Sequence, residues 1–126
     1  MYRSRILDRS VESALRASGG VLIDGVRASG KTQTGRHHAA SVVILDDGSP
    51  RVAAALQVDP RLLLEGETPR LVDEWQLAPE LWNTARHEID RRGMKGQFIF
   101  TGSSVPAPDA MRHSGAHRFV RLRMRP

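Results

Sequence analysis

The chain has 126 residues, about one domain's worth, and its 40% hydrophobic and 26% charged content is globular rather than disordered. It contains no cysteine, which excludes disulfides, cysteine-ligated zinc and cysteine nucleophiles; no apolar run reaches the roughly 18 residues of a membrane span, so a soluble cytoplasmic chain without a membrane partner is expected. The net charge of +5 is uneven: residues 1–36 balance to +4, residues 37–110 to −4 and residues 111–126 to +5, which marks the two ends either as ordinary solvated arginine or as a nucleic-acid surface.

In chain order, Leu7, Val11, Ala14 and Leu15 recur at helical spacing, and Gly19-Gly20 stops that helix. Residues 1–18 are therefore set apart as an N-terminal helix before a core over 19–126. Val21-Leu22-Ile23 is a wholly apolar run ending at Asp24-Gly25, the pattern of a buried parallel strand. A loop over 25–30 leads into a helix from Lys31 to about Ala40. Val42 to Leu45 reads as a second strand ending at Asp46-Asp47-Gly48. Ser49-Pro50 opens a helix over 50–57, with proline tolerated just inside its start.

Asp59-Pro60 breaks that helix, and Leu62 to Leu64 reads as a short one. Leu71-Val72 forms a third strand running into Asp73-Glu74. Pro79 to Arg92 is a helix with Leu81, Ala85 and Ile89 on one face, closed by Gly93. Gln97 to Thr101 is a fourth strand followed by a Gly102-Ser103-Ser104 loop, residues 105–109 are irregular, and Phe119 to Met124 makes a fifth strand with partial alternation. Strands separated by helices at this rhythm imply an α/β fold with a mostly parallel five-stranded sheet.

Gly25-Val26-Arg27-Ala28-Ser29-Gly30-Lys31-Thr32 matches G-x-x-x-x-G-K-[ST] between a strand and a helix. Its glycines allow a tight turn that aims backbone N–H groups at phosphate oxygens, and the following helix N-terminus favours an anion. Lys31 would reach the β- and γ-phosphates as a point charge, and the Thr32 hydroxyl would hold Mg²⁺.

Asp73 and Glu74 stand at the C-terminal end of the third strand, the edge where open parallel sheets bind ligands. Asp73 is expected to coordinate Mg²⁺ and Glu74 to act as general base toward the attacking water. Thr101, at the end of the fourth strand, either bonds that water or the γ-phosphate, or serves a turn. Arg118, before the fifth strand, is either an arginine that reaches a transition-state phosphate, in cis or from a neighbouring subunit, or one more residue of a basic strand. His37-His38 and His113/His117 are not read as metal sites, because no carboxylate accompanies them. Trp75 and Trp82 are read as packing.

With these motifs in order, the chain resembles the N-terminal AAA-type ATPase domain of a large group of prokaryotic ATP-binding proteins that carry a C-terminal domain of unknown function. The resemblance rests on Gly25–Thr32, Leu45-Asp46-Asp47, Asp59-Pro60, Leu71–Gln76 with Leu77 to Trp82, Gly96–Ser104 and His113–Pro126. It implies a three-layer P-loop NTPase fold, ATP at Gly25 to Thr32, Mg²⁺ at Thr32 and Asp73, water activation at Glu74, sensing at Thr101 and an arginine finger at Arg118. His117 stands where the family usually has glycine.

Such proteins continue through a helical lid and further domains, whereas this chain stops at Pro126. A truncated gene, a fragment and a decayed copy are the alternatives, with a partner either in a second copy or in the C-terminal domain. The expected function is Mg²⁺-dependent ATP binding with weak or absent hydrolysis. The alternative is a non-catalytic remnant acting through protein or nucleic-acid contacts. No base-reading motif separates ATP from GTP, and neither the lid nor the acceptor pocket of a small-molecule kinase is visible.

Overall fold

A computed structural model of the protein describes residues 5–25, 30–45, 50–103 and 118–124. Val26, Arg27, Ala28 and Ser29 of the expected phosphate loop lie outside those residues, as do Asp46-Asp47-Gly48, Ser49, the stretch 105–109 expected to be irregular, His113 and His117.

The elements are α1 (Arg5–Ala17), β1 (Gly20–Gly25), α2 (Lys31–His38), β2 (Ser41–Ile44), α3 (Pro50–Val58), β3 (Arg70–Asp73), α4 (Glu80–Arg92), β4 (Phe98–Ser103) and β5 (Phe119–Met124), with 3₁₀ turns at Pro60–Leu64 and Trp75–Leu77. The five strands form one sheet in the order β2-β3-β4-β1-β5. Every pairing is parallel, and β1 lies between β4 and β5 with Val21 opposite both Ile99 and Val120.

The apolar runs are strands covered on both faces. Val21, Ile23, Leu71 and Ile99 point to one side, where they pack with Val11 and Ala14 of α1. Leu22, Val72, Phe98 and Phe100 point to the other, against Leu81, Ala85 and Ile89 of α4, the 3₁₀ residues Leu63 and Leu64, and Trp75 and Trp82. This is the α/β three-layer arrangement implied by the sequence. It also explains why these strands show no polar alternation.

The edge strand β5 does alternate. Val120, Leu122 and Met124 are half-buried against the α1 side, while Arg121 and Arg123 point the other way and are exposed. Phe119 anchors its start by stacking on Trp82, with ring centroids 4.3 Å apart and planes inclined by 26°. Two strands run further than expected: Gly25, expected in the loop, closes β1. Gly102 and Ser103 belong to β4, because its ladder with β1 continues through Asp24 and Gly25. Parallel pairing with a central strand overrides the turn preference of these residues.

On the C-terminal half of α4, Glu88 is buried and organises a polar network. Both of its oxygens accept bonds from Arg91 at 2.8 Å, and Oε1 also accepts one from Arg92 Nε at 3.3 Å. Arg92 in turn donates to Gln97 Oε1 at 3.0 Å and lies 5.1 Å over the Phe98 ring. The Arg91 hydrogen bond is the main cause that holds the Glu88 carboxyl below its ordinary range.

A group whose folded value is depressed stabilises the fold above its unfolded value and loses that contribution as pH falls through the folded one. Glu88→Ala should therefore cost about 1–3 kcal/mol in urea unfolding at neutral pH, since it removes the carboxylate that faces Arg92 and leaves that guanidinium only its neutral acceptors, Gln97 Oε1 and the Leu64 carbonyl. Stability of the wild type should decline on acidification below the ordinary carboxylate range, and Glu88→Gln should flatten that decline.

Candidate functional site

Because β1, β3 and β4 are parallel, their C-terminal ends emerge at one sheet edge, and α2 begins there. Gly30 occupies the N-cap of α2 in the left-handed conformation (φ 89°), which glycine adopts without steric cost, and its carbonyl accepts the Thr34 N–H at 3.0 Å. Gly30 supplies no capping side chain, and the first turn of α2 holds no acidic residue. An open pocket of roughly 360 Å³ lined by Gly30, Lys31, Thr32 and Gln33 lies at this helix end. Free first-turn amides and the positive end of the helix dipole favour an anion in it.

Lys31 is only 4% exposed. A buried ammonium requires a partner, and Glu74 Oε1 supplies one at 3.3 Å from Nζ. The neighbouring carboxylate, Asp73, is also buried, and its Oδ1 accepts two hydroxyls: Thr32 at 2.9 Å and Thr101 at 2.6 Å. Thr101 Oγ1 accepts the backbone N–H of Glu74 at 3.2 Å. One continuous chain of hydrogen bonds thus joins α2, β3 and β4.

Glu74 itself adopts φ 58° and ψ 55°, left-handed backbone that costs a non-glycine residue about 1–2 kcal/mol. The bond from its N–H to Thr101 offsets part of this, as does its carbonyl, which accepts Leu77 N–H at 3.0 Å. The turn that follows brings Gln76 back, and Gln76 Nε2 donates to Glu74 Oε2. Gly102 makes room for that turn: a Cβ there would sit 2.7 Å from Trp75 Nε1 and 3.0 Å from Gln76 Oε1.

The structure therefore brings together Lys31, Thr32, Asp73, Glu74 and Thr101, with Gly25 and Gly30 at the same edge. Val26, Arg27, Ala28 and Ser29 lie outside the described residues. Arg118 is elsewhere. Its carbonyl accepts Gly20 N–H at 3.0 Å, at the opposite end of β1, about 17 Å from Gly25 along a six-residue strand. Its guanidinium makes two 3.0 Å bonds to Asp90, which hold the Asp90 carboxyl below its ordinary value. That position separates Arg118 from Gly25 and from the start of α2 in its own chain.

Three residues at this edge are assigned no site role from sequence. Gln76 was legible as a polar residue two places after Glu74, but its contact depends on the left-handed turn. Gly102 is explained only by the Trp75 ring. Asp24, buried at the end of β1, accepts Arg121 Nε at 2.7 Å and lies 3.9 Å from Arg123 Nε, so two arginines of the basic strand are paired within the domain. Nothing short-range announces a pair 97 residues apart.

A sequence model of a family described as an AAA domain matches residues 18–126, and the chain belongs to that family, whose function is of the nucleotide-binding ATPase type. No curated protein matches the chain.

Thr101→Val keeps the shape of the side chain and removes both of its hydrogen bonds. The variant should lose about 1–3 kcal/mol of unfolding free energy, measured by chemical denaturation, because Glu74 N–H and one lone pair of Asp73 are left without the hydroxyl.

Proposed function

We propose that this AAA-family domain binds ATP together with Mg²⁺ at the α2 end of the sheet and hydrolyses it weakly. The observation that carries the reading is the convergence of Lys31, Thr32, Asp73, Glu74 and Thr101 at one edge, linked by hydrogen bonds.

The donor set fits Mg²⁺. Thr32 Oγ1 and Asp73 Oδ1 are hard oxygen ligands 2.9 Å apart, and a cation bound by one or two protein oxygens keeps waters and phosphate in its remaining positions. Bound there, the ion would neutralise charge developing on the phosphates. Lys31 exchanges Glu74 for a phosphate oxygen, which frees the Glu74 carboxylate. Glu74 then accepts the proton of a water that attacks the γ-phosphorus as the bond to the ADP oxygen breaks. Thr101 holds Asp73 and the Glu74 backbone in register with each other, so a change at either carboxylate is felt in β4.

Weak turnover follows from where Arg118 sits. No arginine of the described residues lines the α2 pocket, and Arg118 could serve only a neighbouring copy, which makes a homo-oligomer the partner of choice. A nucleic-acid role for the basic C-terminal segment draws less support, since Arg121 and Arg123 are engaged with Asp24.

Titration with a fluorescent ATP analogue tests the proposal. Binding should be saturable and Mg²⁺-dependent, and Lys31→Ala should weaken it about 10- to 100-fold, the worth of one charge-assisted contact. Equal affinity in wild type and variant would overturn the assignment.

A further inference from the structure

On the sheet face opposite α4, α1 meets α2 and three metal-ligating side chains come together. Asp8 projects from the start of α1, and His37 and His38 from the last turn of α2. His38 Nε2 lies 2.7 Å from Asp8 Oδ1. The two imidazole rings are 5.0 Å apart with planes 82° from parallel, and one ligand atom from each of the three residues lies within 4.8 Å of the other two. The His38 and Asp8 side chains are largely buried, at 7% and 19% exposure, while His37 opens to solvent. No carboxylate accompanies these histidines in sequence; the fold supplies one from thirty residues upstream of His38.

We propose that Asp8, His37 and His38 form a second cation site, selective for a borderline transition-metal ion such as Zn²⁺ and separate from the Mg²⁺ ligands Thr32 and Asp73. Two imidazole nitrogens and one carboxylate oxygen are the donor set of Zn²⁺, Co²⁺ or Ni²⁺, whereas Mg²⁺ takes oxygen ligands. Tetrahedral coordination at about 2.0–2.2 Å places ligand atoms about 3.3 Å apart. Asp8 and His38 would have to separate by about 0.6 Å, and the widest pair to close by about 1.5 Å, which side-chain torsions can supply. Three protein ligands leave the fourth position to water on the exposed His37 side.

The ion would pin α1 to the C-terminal end of α2, the helix whose first turn carries Lys31 and Thr32. It would stabilise the fold by mass action. A plain Asp8–His38 hydrogen bond would clamp the same two helices but would give His37 no part, and this difference decides the test.

The full chain is titrated with Co²⁺ in excess Mg²⁺ and without nucleotide, following ligand-field absorption in the visible, with Zn²⁺ as competitor. One Co²⁺ per chain, displaced by Zn²⁺, is expected. His37→Ala and Asp8→Asn should each weaken binding at least about tenfold, and Asp73→Asn should leave it unchanged. Thermal melts without metal establish that His37→Ala is folded; should Asp8→Asn fail to fold, His37→Ala alone decides. Absence of one-site binding, or affinity that survives His37→Ala, would mean an adventitious ion only and would overturn the proposal.

Discussion

Two hydroxyls from different layers of the molecule converge on a single oxygen, Oδ1 of Asp73, and the rest of the site is arranged around that point. Thr32 brings the first turn of α2 to it, and Thr101 brings the end of β4. Asp73 is buried, so its charge cannot be left to water, and these two donors are what make burial tolerable. The same Thr101 oxygen then fixes the backbone of Glu74. This holds Glu74 in the left-handed conformation that sends its carboxylate toward Lys31. Strain of this kind persists where surrounding structure over-determines it, and it gathers at functional positions.

The parallel sheet converts this local chemistry into a division of labour between its two edges. The C-terminal ends of β1, β3 and β4, with Asp24, Asp73 and Thr101, lie at the edge where α2 begins. The N-terminal edge carries Gly20 and Arg118, which pairs with Asp90 of α4, and lies at the far end of β1 from the start of α2. The central position of β1 between β4 and β5 means that its C-terminal end is flanked by the polar end of β4 on one side and by Arg121, paired with Asp24, on the other. The basic character of the C-terminal segment is thereby partly neutralised inside the domain.

Much of this was legible in the sequence, for identifiable reasons. Strands covered on both faces read as continuous apolar runs, so β1 to β4 stood out. Gly30 before Lys31 and Thr32 encodes a backbone geometry rather than a composition, so the glycine-capped start of α2 stood out as well. What escaped was long-range or conformational. The burial of Glu88 among Arg91, Arg92 and Gln97 looks in sequence like a solvated helix end. The Asp8 partner of His38 lies on another helix. The return of Gln76 onto Glu74 depends on a positive φ that no propensity assigns to glutamate. The extension of β4 through Gly102 and Ser103 depends on its pairing with β1, not on those residues themselves.

The central claim is that a nucleotide occupies the α2 end of the sheet and reorganises the Lys31–Glu74–Thr101–Asp73 chain. Amide hydrogen exchange with and without Mg²⁺-ATP measures this most directly. The account predicts slowed exchange at the first-turn amides of α2, Lys31 to Thr34, and at Glu74, with the Arg118 edge unchanged. Binding accompanied by protection at the Arg118 edge, and none at Lys31 to Thr34, would contradict it.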